Sequence, residues 1–263
     1  MNKIYQLFFL MLILGCGSEQ TDDVEASEPQ AYFNPPAEGF DIAGSDSEAI
    51  AIADSVMAAH GGRSAWDKAR YFSFNFFGLR DLVWDRYLGR VRITSEKDAT
   101  VYVYNDETGE GAIQVNGTLI TDSVEVASAS SRAKSIMIND TYWLVFPFKL
   151  KDSGTTLSYQ GEVDADPQAN RPSFVIDLTF TDVGDTPQNR YRIYVDRESY
   201  LINTWQFYRQ ADDEEAMIET PFNNYREIGG LLMSDDRGSR FQLGEVSVLD
   251  DVDESTFSLT NPD

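Results

Sequence analysis

The feature that most restricts this chain is an alternation of apolar and polar side chains, met repeatedly along most of its length. Phe72, Phe74 and Phe76 point one way while Ser73 and Asn75 point the other. Phe174, Ile176, Leu178 and Phe180 repeat the pattern, and Tyr191, Ile193 and Val195 do so again. Successive side chains leave a strand on opposite faces, so each stretch reads as a half-buried strand. Leu82–Ile93 reads as one strand with a bulge near Arg86–Gly89. Val101–Tyr104, Ile113–Asp122, Thr156–Gln160, Tyr200–Arg209, Leu231–Met233 and Phe241–Leu249 add more, and Asn116-Gly117 suits a type I′ hairpin turn. Pro221 places the strand within Met217–Ile228 at an edge or a bulge. About a dozen such segments follow one another through short turns. That excludes βαβ units and predicts an α+β fold, mainly antiparallel β, with one large coiled sheet.

Two helices break the alternation. Ser45 with Glu48 has the spacing of a capping box, Ala49, Ile52, Ala53, Val56 and Met57 recur at helical intervals, and Gly61-Gly62 ends the run. Asp122 with Glu125 opens the second helix, whose face of Val126, Ala129, Ser130, Ala133, Ile136 and Met137 is small enough to lie close on a sheet. The aromatic run Asn139–Phe148 follows. It reads either as core between helix and sheet or as a lip that touches lipid or ligand. His60 is the single histidine, without local partners for metal or acid-base chemistry, so it is expected to cap carbonyls or pack beside Trp66.

The N-terminus specifies a location. Lys3, the apolar run Leu7–Leu14 and Gly15 before Cys16 form a secretory signal, and the run is far shorter than the ~20 residues of a spanning helix. The segment resembles a bacterial lipobox, which implies lipidation of Cys16 and membrane attachment through its acyl chains. Residues 1–15 are thus expected to be a signal peptide, 16–44 an acidic disordered tether and 45–263 the folded domain. The tether carries Glu19, Asp22, Asp23, Glu25, Glu28, Glu38 and Asp41, and no basic residue precedes Arg63 after the signal. Acidic residues soon after Cys16 resemble a surface-display signal. The expected location is the Gram-negative envelope, as an outer membrane lipoprotein facing the periplasm or the cell surface. A net charge of −23 repels phosphate backbones and argues against nucleic-acid partners. One cysteine excludes an intrachain disulfide.

The helix ending in His60-Gly61-Gly62, Trp66 before the first strand, the mid-chain helix, Tyr142-Trp143 to Pro147, and Asp196 leading into Tyr200–Phe207 together resemble the LolA/LolB-like superfamily. The resemblance covers roughly Ser45 to Phe257 and is closest to uncharacterised bacterial lipoproteins of that fold. It implies an unclosed half-barrel of about eleven strands with helices on its concave face, and an acyl-chain or lipoprotein ligand held between them. The residues expected to line such a site are Phe72, Phe74, Phe76, Trp84, Trp143, Phe146, Phe174, Ile176, Phe180 and Trp205.

Catalytic patterns are missing from the sequence: no G-x-S-x-G, phosphate loop, H-E-x-x-H or C-x-x-C occurs. A non-enzymatic role is expected, with no cofactor and no metal. Asp250–Glu254 and Asp164/Asp166 lack EF-hand spacing and read as solvated surface. Two other readings stay open: a structural or interaction lipoprotein with a self-filled core, and a surface protein that binds or hydrolyses glycans.

Overall fold

The computed structural model describes residues 34–181, 183–239 and 241–260. Cys16, the signal run and most of the expected tether lie outside them. Helices α1 (Ser47–Ala59) and α2 (Arg63–Lys68) come first. A meander of β1 (Tyr71–Phe76), β2 (Arg80–Asp85), β3 (Arg90–Ser95), β4 (Thr100–Asn105), β5 (Gly111–Val115) and β6 (Thr118–Leu119) follows. Helix α3 (Ser123–Val145) and a 3-10 turn at Phe146–Phe148 lead into β7 (Thr155–Val163), β8 (Ser173–Phe180), β9 (Arg190–Asp196), β10 (Ile202–Tyr208) and β11 (Ile218–Pro221). A hairpin of β12 (Asn223–Ile228) and β13 (Leu231–Asp236) precedes β14 (Leu243–Leu249).

All strand pairs are antiparallel. One sheet runs β14-β1-β2-β3-β4-β5-β6 and another β11-β10-β9-β8-β7. The β12–β13 hairpin lies beside β14, with a bridge between Asp236 and Gln242. No pairing joins β6 to β7 among the described residues, so the barrel is unclosed there. The chain crosses this gap as α3. The fold is the expected α+β half-barrel, but it has fourteen strands among the described residues rather than about eleven.

Part of the excess comes from Leu82–Ile93, which is two strands and not one bulged strand. The carboxylate of Asp85, fully buried, receives the guanidinium groups of Arg70 and Arg90 and the Tyr87 N–H, and so turns the chain at Arg86–Gly89. Pro221 ends the edge strand β11, as its missing N–H requires. Asn116 and Gly117 both take positive φ, as a type I′ turn demands.

Each sheet turns its apolar face to the helices. The seven-stranded sheet buries Phe72, Phe74, Leu82, Val91, Ile93 and Tyr102 against Ala129, Ala133, Met137 and Leu144 of α3. Gly111 allows this approach, since a Cβ there would lie 2.4 Å from Ser130 Oγ. The five-stranded sheet buries Leu157, Ile176, Leu178, Ile193, Val195 and Trp205 against Ala49, Ile52, Ala53 and Val56 of α1.

Two expectations at the start of α1 need correction. The Ser45–Glu48 box does not form: Ser45 Oγ donates to Asp41 O and accepts from Leu157 N–H, and the cap position is Asp46. The folded body also begins before Ser45. Phe40 is buried in the α1 cluster, and the segment is also tied down by Ala37 N–H to Lys151 O, Asp41 N–H to Thr155 O and Lys151 Nζ to Asn34 O. At the other end of α1, His60 is wholly buried, with Nδ1 2.7 Å from Val56 O and its ring edge-on to Phe148. Burial pushes its pKa down to about 4.

Candidate functional site

Helix α3 has two working faces. Its small face (Ala129, Ala133, Met137) is buried on the meander. Ser135, Ile138, Asn139 and Tyr142 fall at i, i+3, i+4 and i+7, so they share another stripe. That stripe forms one wall of a cleft of about 500 Å³. The opposite wall is the five-stranded sheet, through Phe180, Tyr191 and Trp205, and the loop Val183–Thr186 covers one side. Lys149 and Asp152, joined as an ion pair, complete the rim with Ser153 and Thr155. The size lies within the range of small-molecule pockets, and the lining is mostly apolar and aromatic.

The aromatic wall is continuous. Tyr191 stacks on Trp205 at 5.2 Å and lies 5.5 Å from Tyr142, while Trp143 meets Trp205 edge-on at 4.5 Å. Burial raises the phenol of Tyr142 well above its ordinary pKa and that of Tyr191 to about 12, so both stay neutral donors. The loop is held in place from two sides. Ser135 Oγ donates to Asp185 on the helix side. On the sheet side Gly154, at φ +70°, leaves space that a Cβ would take from Val183, 2.4 Å away.

Two arginines fix the C-terminal half of α3. Arg80 grips the fully buried Asp140 through Nε and Nη2 at 2.5 and 2.7 Å. Arg237, 1% exposed, donates from Nη2 to Trp143 O at 2.9 Å and lies 3.5 Å above the Phe222 ring. It thereby satisfies one of the orphan carbonyls at the helix end.

Of the residues expected to hold a ligand, Trp143, Phe180 and Trp205 line this cleft. Phe72, Phe74 and Phe76 are 0, 1 and 4% exposed and enclosed by the protein's own side chains. Ile176 and Phe146 are core in the α1 cluster. Phe174 stacks on Tyr200 and is not part of the cleft lining, near the end of β8 where it pairs with Glu162 of β7. Trp84 lines a separate, more polar cavity of about 340 Å³ with Trp66, Arg63, Arg86, Lys149 and Lys151. Cys16 lies outside the described residues. Within Asn139–Phe148, Leu144, Val145, Phe146 and Phe148 are core, while Tyr142 and Trp143 line the cleft.

Asp166 is not solvated surface. It is 3% exposed and accepts from Gln168, Ala169 and Arg171 N–H and from Thr204 Oγ1, pinning the 164–172 loop to β10. No cluster of three or more His, Cys, Asp or Glu side chains able to hold a metal occurs among the described residues.

No family model matches the chain, and no curated protein is similar to it in sequence. Several solved structures are similar in fold at low identity. A DUF1329 family protein from Desulfovibrio piger matches at 12% identity over 80% of this chain and 97% of its own, with a TM-score of 0.44. A domain named as an outer membrane lipoprotein-sorting protein, from Vibrio parahaemolyticus, matches at 11% over 80% and 96%, with a TM-score of 0.42. MucB matches at 15% over 82% of this chain and 64% of its own, with a TM-score of 0.27. At these values the functional reading rests on the cleft itself.

Proposed function

We propose that this chain is a lipid-anchored lipoprotein of the Gram-negative outer membrane that binds an apolar or acylated ligand, without catalysing a reaction on it. The observation that carries the reading is the cleft between α3 and the five-stranded sheet, about 500 Å³ and walled by Tyr142, Trp143, Phe180, Tyr191 and Trp205. Burial of apolar ligand surface there contributes ~25 cal/mol per Å² and asks little of direction, which suits a flexible hydrocarbon chain. The lipobox-like Leu7–Cys16 segment supports the anchored part of the proposal.

A second reading has its own support. The meander half of the concavity is filled by Phe72, Phe74, Leu82 and α3, as a structural lipoprotein with a self-filled core would have it. The two readings separate on titration of the purified protein with a brominated acyl ester, whose bromine quenches tryptophans that it touches. A binding protein shows saturable quenching through Trp143 and Trp205; a self-filled scaffold shows none.

A further inference from the structure

The first described residues fix where the upstream chain meets the folded body. Asn34 Nδ2 donates to Asp54, Lys151 Nζ donates to Asn34 O, and Arg63 Nη1 donates to Pro35 O. The chain therefore enters beside the start of α2. At the other end of this short helix, about 9 Å away at 1.5 Å per residue, the β2–β3 turn is tied on. Arg86 Nη2 donates to Trp66 O and Asp67 O, and Tyr87 Oη donates to Asp67 O.

The surface between these two points is basic, in a chain of net charge −23. Arg63, Lys68, Arg70 and Arg86 gather around α2 and the turn. Arg63 pairs with Asp67 and Arg70 with the buried Asp85, while Lys68 is exposed and neither it nor Arg86 has a carboxylate partner among the described residues. Tyr87 and Leu88, 47 and 41% exposed, form the tip of the turn, with the guanidinium groups of Arg70 and Arg86 5.5 and 5.2 Å from the Tyr87 ring. Asp106 and Glu107 border Gly89, and Glu254 pairs with Arg90, so acid bounds the patch on its far side. Val124 is more exposed still, but Asp122 and Glu125 flank it.

An apolar tip in a basic collar suits an anionic lipid surface, which repels the acidic remainder of the body. Resting on the proposed lipid anchor, we infer that α2 and the β2–β3 turn lie against the anionic phospholipid leaflet that carries the anchor, with Tyr87 and Leu88 in its headgroup layer. The contact is weak by itself. The anchor presents it to the leaflet at high effective concentration, so it orients the body and does not retain an unanchored chain.

The test places an environment-sensitive dye on Leu88→Cys or, as a control, on Val124→Cys in the full chain, acylated at Cys16 and reconstituted into vesicles of phosphatidylethanolamine and phosphatidylglycerol. Acylation leaves the introduced thiol as the single free one. The dye at 88 shifts to the blue on vesicles and is quenched by brominated lipid, while the dye at 124 does neither. The shift fades between 0.1 and 1 M salt, as the screening length falls from ~10 to ~3 Å. Lys68→Gln, which removes one exposed charge, lowers the ratio of docked to undocked chains about fivefold. Chains that float with vesicles while the two dyes behave alike overturn this inference and leave the anchor standing, as does a shift untouched by salt and by Lys68→Gln. A dye at 88 equally blue in solution and on vesicles means that the acidic segment 17–33 covers the face instead, and overturns it too. Chains that do not float overturn both the anchor and the inference.

Discussion

Acidification should unsettle this protein through one residue. His60 is wholly buried, faced by Phe148, Tyr225 and the Arg237 guanidinium, and its pKa falls to about 4 from the ordinary 6.5. Burial is the main cause, opposed by the bond to Val56 O and reinforced by Arg237. Tyr225 Oη donates its proton to Ile202 O, so it approaches His60 Nε2 only as a 3.4 Å contact. Because the folded state holds the ring neutral, the unfolded chain binds the proton first as pH drops. Stability from this group is therefore present above about pH 6.5 and is lost between there and about pH 4. With 1.36 kcal/mol per pH unit of separation, the loss is about 2 kcal/mol by pH 5 and about 3 kcal/mol by pH 4. Since the chain has a single histidine, the imidazole C–H resonances in a proton NMR titration report this site alone. A folded-state midpoint near 4, with denaturant stability falling by the stated amount between pH 7 and 5 and a flatter profile in His60→Gln, is the expected outcome. A midpoint near 6.5, or the same pH slope in the variant, would refute the reasoning.

Two further outcomes follow from the ion pair that holds α3 and from the proposed lipid anchor. Arg80→Met strands the buried Asp140 carboxylate and should cost ~3–5 kcal/mol in urea unfolding, with Asp140→Asn on top recovering part of it. Cys16→Ser should move the protein from the membrane fraction to the soluble fraction of fractionated cells, and persistence with membranes would defeat the lipobox reading.

The strands were largely readable from their alternation, which burial of one face imposes on Phe72–Phe76; in Phe174–Phe180 the alternation is in residue type alone, since Val175 and Asp177 are buried as well as Ile176 and Leu178. The second helix was readable at its start, since Asp122 does accept from the Val124 and Glu125 N–H groups. Its length was not, because Tyr142 and Trp143 look the same in sequence whether they end a helix or begin a loop; the helix continues to Val145 and stops before Pro147. The hairpin at Arg86–Gly89 was hidden for a different reason. Its local part is Asp85 accepting from the Tyr87 and Leu88 N–H groups, with Gly89 at positive φ; the ion pair of Asp85 with the more distant Arg70 is what the local sequence does not announce.

For the site, the aromatic residues could be named but not sorted. Phe74 and Phe180 occupy equivalent alternating positions, and only the placement of α3 decides that the first is core and the second borders open space. The stripe Ser135, Ile138, Asn139 and Tyr142 carried a usable signal, since its spacing marks a second face of α3. Tyr191 carried the same alternation as Phe180, with Ile193 and Val195, and the Val183–Thr186 loop carried no signal.

The account depends most on the cleft being a place where a ligand sits. Four tryptophans are present; Trp143 and Trp205 line the cleft, while Trp66 and Trp84 line the other cavity. Titration of the full chain with a brominated acyl ester therefore tests it most directly. Saturable quenching at a single probe per chain, reduced in Trp143→Phe, is what the account predicts. Emission that shows no saturable quenching up to the solubility limit of the probe would contradict it.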